Sequence, residues 1–148
     1  MRIVVSGIGI AGPTLAFWLS KSGHDVVLVE EAPRLRTAGY IIDFWGIGYD
    51  IAEQMGLIGD IRALGYMVRE VRFVDRNGRK RGGFDVDVFH RLTHDRFTSV
   101  RRSDISATIY HAIEGKVETI FGDSVAAIED DGHRVRVRFD HAAERDVD

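Results

Sequence analysis

The sequence contains no cysteine, carries little net charge and has no long uninterrupted hydrophobic run. The absence of cysteine excludes a disulfide scaffold, a cysteine-ligated metal site and thiol chemistry. Lys and Arg (20) nearly balance Asp and Glu (23), leaving a formal charge of -3. This balance argues against a nucleic-acid-binding protein, whose surface needs a net basic face. With 45% hydrophobic residues in 148, the chain is expected to fold as one ordinary globular domain with its own core.

The N-terminus superficially resembles a signal peptide, because an apolar stretch from Ile3 to Leu19 follows a basic start. Glycines and Pro13 interrupt this stretch, and no small-residue cleavage site follows it. It is also too short and too rich in glycine to span a bilayer. We therefore expect no targeting or transmembrane segment, no membrane partner, and the cytoplasm as the default compartment.

A βαβ unit is predicted at the start of the chain. Arg2–Ser6 is a short β-branched run typical of a buried strand, and a glycine turn follows it. A helical pattern begins at Pro13 and stops at Gly23, and Asp25–Glu30 is a second buried strand. Because such a crossover joins parallel strands, the sequence predicts an α/β fold with a parallel sheet.

The rest of the chain predicts a mixture of short elements, with an antiparallel hairpin marked by Asn77-Gly78. Helix Ile105–Ile113 would have Ser103 or Asp104 as its N-cap. The predicted elements, in chain order, are a loop over Pro33–Gly39, an extended segment over Tyr40–Phe44, two short helices over Ile47–Leu64, a hairpin from Met67 with its return strand over Arg79–Phe89, a loop over His90–Ser99, the helix Ile105–Ile113, and short strands over Val117–Phe121, Ser124–Asp130 and Arg134–Asp140.

The turn between the first strand and helix fits the pattern G-x-G-x-x-G. Its six residues are Gly7, Ile8, Gly9, Ile10, Ala11 and Gly12. In this strand-to-helix position the first glycine allows the tight turn, the second lets the backbone approach a diphosphate, and the third lets helix and strand pack closely. The diphosphate would lie on free N–H groups at the positive end of the helix, where Pro13 is tolerated.

Glu30 completes the dinucleotide-binding pattern. It follows Gly12 by 18 residues, close to the roughly 20 typical of an acid that binds a ribose hydroxyl. Its carboxylate would repel a 2′-phosphate, so NADP is disfavoured at this position. The alternative is a glycine cluster that only packs a helix, with a solvated glutamate at a strand end.

With these residues in place, the sequence resembles the N-terminal part of the FAD-dependent aromatic hydroxylases and monooxygenases, the p-hydroxybenzoate hydroxylase-like family that includes tetracycline-modifying enzymes. The resemblance covers essentially the whole chain. It rests on the glycine turn with Glu30, on the Gly39–Asp43 loop, and on Arg102-Ser103-Asp104-Ile105, which is similar to the family's R-x-D-L motif with Ile105 in place of leucine.

The resemblance implies a set of cofactor-binding residues. Glu30 would bind the FAD ribose, Arg102 would reach the FAD, Asp43 would lie on the flavin side, and the strand near Val125 would border the adenine. Arg102 has an alternative role as a surface arginine paired with Asp104. Glu31 belongs to the same cofactor-side group, although many family members have a basic residue there, so a possible cationic contact is lost.

The resemblance also implies the function and the domain. Residues 1–148 would form the N-terminal part of a Rossmann-like FAD-binding domain that is incomplete at its C-terminus, with residues 67–98 contributing strands to a substrate-binding sheet. The full enzyme would hydroxylate an aromatic or polyketide-like small molecule using FAD, NAD(P)H and O2, and a C-terminal half or second chain would supply the remainder. No catalytic residue is assigned. The six histidines show no metal-ligand spacing, since His90 and His94 lie in a stretch without helical periodicity.

Two other functions stay open. One is a nucleotide-binding fragment or module with no turnover of its own. The other is an NAD-dependent dehydrogenase, which the segment after Glu30 disfavours because it lacks a further simple helix and parallel strand.

Overall fold

The computed structural model describes all 148 residues, in ten strands and five helices. The strands are β1 (Arg2–Ser6), β2 (Asp25–Glu30), β3 (Ile41–Trp45), β4 (Glu70–Val74), β5 (Lys80–Asp85), β6 (Phe97–Arg101), β7 (Glu118–Phe121), β8 (Val125–Asp130), β9 (Val135–Phe139) and β10 (Arg145–Val147). The helices are α1 (Ala11–Lys21), α2 (Ile47–Gln54), α3 (Ile58–Ala63), α4 (Asp87–Leu92) and α5 (Arg102–Ile113). No helix has the length and apolar character needed to cross a bilayer.

The chain divides into two units. The first comprises Met1–Gly39 and Ser103–Asp148, and the second comprises Tyr40–Arg102. The first unit therefore holds the predicted βαβ segment together with α5 from Ser103 onward and strands β7 to β10. The second unit holds β3 to β6 with helices α2 to α4.

A three-stranded parallel sheet organises the first unit, in the order β1-β2-β7. Val4 pairs with Val27 on one side of β2, and Val29 pairs with Ile120 on the other. The α/β class and the parallel pairing of β1 with β2 are as predicted. The pairing of β7 with β2 could not be predicted, because the residues of β7 carry no signal for which strand they pair with.

Strand β2 is buried on both faces, which explains its unbroken apolar sequence. Val26 and Leu28 pack in a cluster with Ala16 of α1 and Ile113 of α5. Val27 and Val29 pack on the opposite face, in a cluster with Phe139 and other residues of the antiparallel sheet. Successive side chains on a strand alternate between faces. Glu30 therefore follows Leu28 on the helix-covered face, at the carboxyl end of the strand.

The second sheet of this unit is antiparallel, with β9 between β8 and β10. Strand β10 was not predicted, because its three residues are too few to show an alternating pattern. The Arg145 guanidinium of β10 makes two hydrogen bonds of 2.6 Å to the Glu118 carboxylate of β7. Such bidentate pairs are among the stronger side-chain contacts, and this one links the two sheets.

The second unit contains two separate antiparallel pairs. Strand β3 pairs with β6, so that Asp43 lies opposite Ser99. Strands β4 and β5 form the predicted hairpin, and Gly78 in its turn has a φ of +76°. The Asp75 carboxylate accepts the amide N–H groups of Asn77 and Arg79 at 2.9 and 3.0 Å. The turn therefore has the polar side chain that Asx-type turns use.

Two predictions in this unit are wrong. The return strand ends at Asp85 rather than Phe89, because helix α4 begins at Asp87 and the Asp85 carboxylate accepts the Asp87 amide N–H at 2.9 Å. The predicted loop over 90–99 is the end of α4, a short connection and the start of β6. His90 is therefore helical. Alternation in β6 was masked because its buried residues include Ser99 as well as Phe97 and Val100.

Both helices of the first unit begin earlier than predicted. Helix α1 begins at Ala11 rather than Pro13, so the proline lies within the first turn, where its missing N–H removes no helical hydrogen bond. Helix α5 begins at Arg102 rather than Ile105. Ser103 and Asp104 therefore belong to its first turn and are not the N-cap.

Candidate functional site

The glycine turn leaves the sheet at the carboxyl end of β1. The Gly7 amide donates to the Val29 carbonyl at 2.6 Å, which extends the β1–β2 pairing by one residue. Gly7 has a φ of +100°, and a Cβ added there would meet no atom within 4 Å. Glycine is thus required at this position by backbone conformation rather than by lack of space.

Gly12 is required for the opposite reason. A Cβ added there would overlap the carbonyl oxygen of Gly7. The first turn of α1 therefore lies directly against the end of β1, the close packing that the third glycine of the motif allows.

The N-terminus of α1 is open. It has neither a side-chain cap nor an acidic residue in its first turn. The first helical amide to find a carbonyl is that of Thr14, which donates to Ile10 at 3.2 Å. The earlier amides have no partner within the helix, and together with the helix dipole they favour an anion.

The Glu30 carboxylate lies beside this turn. Oε2 accepts the amide N–H of Ile8 at 2.7 Å, and Oε1 accepts that of Ala32 at 3.1 Å. The residue is 8% exposed. Burial raises the pKa of this carboxyl. The hydrogen bonds from the Ile8 and Ala32 amides and the nearby Arg36 guanidinium lower it by more, so the pKa lies below its ordinary value. A fixed, ionised carboxylate therefore stands next to the second residue of the turn.

Glu31 is exposed and paired with an arginine. Its carboxylate accepts a hydrogen bond of 2.8 Å from Arg36, and the same Arg36 nitrogen lies 3.3 Å from Glu30. The resemblance implied that a carboxylate at position 31 removes a possible cationic contact to the cofactor. The structure supplies a cation from the loop after β2.

Ser106 of α5 was not identified from the sequence. Its hydroxyl donates toward the carbonyl oxygens of Ile8 and Gly9, at 3.2 and 3.0 Å. Helix α5 thus contacts the glycine turn through the Ile8 and Gly9 carbonyl oxygens. No local pattern marks this serine, because the carbonyls it bonds lie nearly a hundred residues earlier in the chain.

Asp123, also missed, positions the start of β8 and hence Val125. Its carboxylate accepts the amides of Ser124, His141 and Ala142 at 2.7 to 3.0 Å. Its own amide donates to the Glu30 carbonyl at 3.1 Å. Burial raises the pKa of Asp123, but these three amides lower it more, and the net pKa is lowered.

Val125 is half-buried at the beginning of β8, opposite Phe139 of β9. A β-bulge follows it in the pairing of these two strands. Its side chain packs beside the cluster that contains Val29 and Phe139. The side chain is thus part of the packing between the sheets.

Asp43 and Arg102 belong to the second unit. Asp43 is exposed on β3, and its carboxylate accepts the hydroxyl of the buried Ser99 at 2.7 Å. Arg102 is exposed, and its amide donates to the Tyr40 carbonyl at 3.0 Å. Asp104 accepts a long bond of 3.4 Å from Ser103.

Comparison with known proteins gives relatives over almost the full chain. An FAD-dependent monooxygenase of Sarocladium schorii, asL4, is 34% identical over 148 residues, which is 97% of this chain and 34% of that protein. The tetracycline destructase Tet(51) superposes with a TM-score of 0.79 at 28% identity, covering 98% of this chain and 36% of that one. Klebsiella pneumoniae HpxO, solved with FAD and uric acid, gives 0.78 at 25% identity, covering 100% and 37%.

The chain is similar to an FAD-dependent monooxygenase over almost its whole length. No protein-family model matches it. The chain spans 40% or less of the length of the curated relatives and solved structures that it matches.

The structure brings together only part of the predicted site. The glycine turn and Glu30 are joined directly through the Ile8 amide. Glu31 lies at the same edge but bonds to Arg36. Asp43 and Arg102 lie in the other unit, and their predicted roles stay predictions.

Proposed function

We propose that the chain is the FAD-binding portion of a flavin-dependent monooxygenase, with a Rossmann-like FAD-binding fold. The observation that carries this proposal is the buried Glu30 carboxylate, 2.7 Å from the Ile8 amide beside an uncapped helix start. A dinucleotide needs these two features: a positive helix end for its diphosphate and an acid for its ribose.

The residues present fit FAD. The free amides from Gly9 to Gly12 would hold the diphosphate, and Glu30 would accept the ribose hydroxyls. The backbone near Val125 would border the adenine, and Asp43 and Arg102 would bind the flavin side of the cofactor. The bound flavin would supply the redox and oxygen chemistry, while the protein binds it, orients it and excludes water.

The whole protein would hydroxylate an aromatic or polyketide-like small molecule, with NAD(P)H as reductant and O2 as oxidant. Residues 67–98 would contribute strands to its substrate-binding sheet. A C-terminal half or second chain would complete the enzyme, which we place in the cytoplasm. No acid, base or nucleophile of this chain is assigned to the reaction.

A nucleotide-binding module without turnover is the second candidate. It is supported by the nucleotide-binding geometry alone, the Glu30 carboxylate beside the uncapped start of α1, since no acid, base or nucleophile of this chain is assigned to a reaction. An NAD-dependent dehydrogenase is less well supported. After Glu30 the chain enters a loop, and β3 then pairs in an antiparallel sheet instead of extending the parallel one.

Titration of the purified chain with FAD, followed by quenching of flavin fluorescence, tests the proposal. Saturable binding is expected, and Glu30→Gln should weaken it. Binding of NADH with no uptake of FAD would contradict the proposal and favour the dehydrogenase. If FAD binds, NAD(P)H oxidation by this chain, compared with the full-length parent enzyme, separates an enzyme portion from an independent module.

A further inference from the structure

A serine is buried on strand β6 of the second unit. Ser99 is 2% exposed, and the other buried residues of the strand, Phe97 and Val100, are apolar. A hydroxyl in such a position is costly unless it is hydrogen-bonded. The Ser99 hydroxyl donates to Asp43 Oδ1 at 2.7 Å. The buried hydroxyl therefore has a specific partner, the carboxylate of an aspartate on the neighbouring strand.

Backbone pairing fixes the place of this serine. Asp43 of β3 lies directly opposite Ser99 of β6, so the two side chains leave the same face of the ladder. The Ser99 carbonyl accepts the Tyr66 amide at 2.7 Å. The chain approaches β6 closely here, since a Cβ added at Gly65 would overlap the Thr98 hydroxyl oxygen. Ser99 is thus held by backbone contacts to two other segments, and its hydroxyl has a defined position.

The Asp43 carboxylate depends on this one contact. Asp43 is exposed, and the hydrogen bond from Ser99 to Oδ1 is the one that its carboxylate accepts. The Glu30 carboxylate, in contrast, is held by the backbone amides of Ile8 and Ala32. An exposed side chain that is fixed before a ligand binds loses less conformational entropy on binding. The second oxygen, Oδ2, is left to accept a hydrogen bond from a ligand.

We propose that Ser99 is a positioning residue for the cofactor. Its hydroxyl holds the Asp43 carboxylate through Oδ1, so that Oδ2 can accept a hydrogen bond from the flavin side of FAD. The inference rests on the proposed function, because it needs Asp43 to contact the bound cofactor. In this role Ser99 does not contact FAD, and it acts only through Asp43.

The test compares two substitutions of similar volume, Ser99→Thr and Ser99→Val. Threonine keeps the hydroxyl and valine lacks it. Both are favoured in strands, and the added volume affects both variants alike. Each is also combined with Asp43→Ala, which removes the acceptor. Flavin fluorescence titration measures the affinity for FAD, and urea unfolding measures the stability of each variant without FAD.

Thr98→Val is the matched control. It removes a hydroxyl from the adjacent residue of β6, whose side chain leaves the opposite face of the strand from that of Ser99. This control should bind FAD like the unmodified chain. A loss of affinity as large as in Ser99→Val would contradict a role specific to the hydroxyl of Ser99.

Affinity for FAD should be nearly unchanged in Ser99→Thr. It should fall by roughly two- to tenfold in Ser99→Val, the range expected for the loss of one hydrogen bond. With Asp43→Ala present, the threonine and valine variants should bind FAD equally, because the hydroxyl then has no carboxylate to hold. Equal affinities of Ser99→Thr and Ser99→Val, or a difference that survives in Asp43→Ala, overturn the inference.

Stability distinguishes positioning from a structural role. A structural role predicts that Ser99→Val is less stable than Ser99→Thr while both bind FAD with the same affinity, and that result also overturns the inference. Ser99→Ala adds no volume, so it should show the loss of affinity even where the larger side chains prevent folding. Unchanged affinity in a folded Ser99→Ala variant contradicts the proposed role.

The unmodified chain and Asp43→Ala distinguish the two proposals. If the unmodified chain does not bind FAD, the proposed function fails and this inference fails with it. If FAD binds and Asp43→Ala leaves its affinity unchanged, FAD binding stands and only this inference fails.

Discussion

The amide N–H of Ile8 donates to the Glu30 carboxylate at 2.7 Å, joining the glycine turn to the end of β2. The two residues lie 22 positions apart in the chain, and parallel pairing of β1 with β2 brings them to the same edge of the sheet. This one hydrogen bond both fixes the Glu30 carboxylate and orients the glycine turn.

Replacing Glu30 with Gln should weaken FAD binding by about 10- to 100-fold, since hydrogen bonds to a charged group are worth roughly 1.5–3 kcal/mol. The Gln carbonyl can still accept the Ile8 amide, but the Ala32 amide loses its acceptor, so thermal unfolding of the variant verifies that the fold is kept. Fluorescence titration measures the affinity, and Glu129→Gln, which removes an exposed acid paired with an arginine, is the control. Equal affinities for the unmodified chain and Glu30→Gln would rule out the ribose role.

Gly12→Ala should destabilise the chain by about 1–3 kcal/mol, the usual penalty for overpacking. The added methyl group would overlap the Gly7 carbonyl oxygen. Gly59→Ala is the matched control, because a Cβ there meets no atom within 4 Å and Gly59 lies in helix α3. The control should be neutral or gain up to about 1 kcal/mol from helix propensity. Urea unfolding measures the free energy of unfolding of both variants. Equal values for Gly12→Ala and Gly59→Ala would contradict the prediction.

Ser106→Ala should lower the free energy of unfolding by about 0.5–1.5 kcal/mol, the usual net value of a hydrogen bond. It should also reduce FAD affinity, because the carbonyls of Ile8 and Gly9 lose their support from α5. Thr108→Ala removes a hydroxyl that bonds only within the same helix, to Asp104. That control should leave FAD affinity unchanged. A loss of affinity as large in Thr108→Ala would show that the effect is not specific to the turn.

Acid should destabilise the first unit through Glu30 and Asp123. Both carboxyls have pKa values lowered by backbone amides, from ordinary values of 4.5 and 3.8. A lowered folded pKa stabilises the protein above the unfolded pKa, and this contribution is lost as pH falls through the folded value. We therefore expect the free energy of unfolding to be level near neutral pH and to fall below about pH 4.5.

Chemical denaturation at a series of pH values measures this profile. Asp123→Asn should be less stable than the unmodified chain at neutral pH and should lose less stability on acidification. Parallel profiles for the two proteins would show that Asp123 does not contribute to the acid response.

Sequence patterns predicted the elements whose signal is local. Strands β1 and β2 have the predicted bounds, and the hairpin turn at Asn77-Gly78 lies where expected. The secondary-structure prediction failed where packing against residues distant in the chain decides between helix, strand and loop. Residues 86–89 alternate as a strand would, yet Phe89 lies in α4 and stacks on Phe97 at 5.4 Å. Strand β6 was not predicted, because the strand that pairs with it, β3, lies far away in the chain.

The glycine turn and Glu30 could be identified from the sequence alone. Gly7 is needed for its positive φ and Gly12 for the close approach of the Gly7 carbonyl, and both requirements arise within a few residues of the chain. The residues that surround them were decided by tertiary structure. Ser106, Asp123 and Arg36 reach the turn or Glu30 through hydrogen bonds that no periodicity encodes. Polar side chains on loops and helix faces have many solvated alternatives, and only packing of the strands and helices selects the partner that each one bonds.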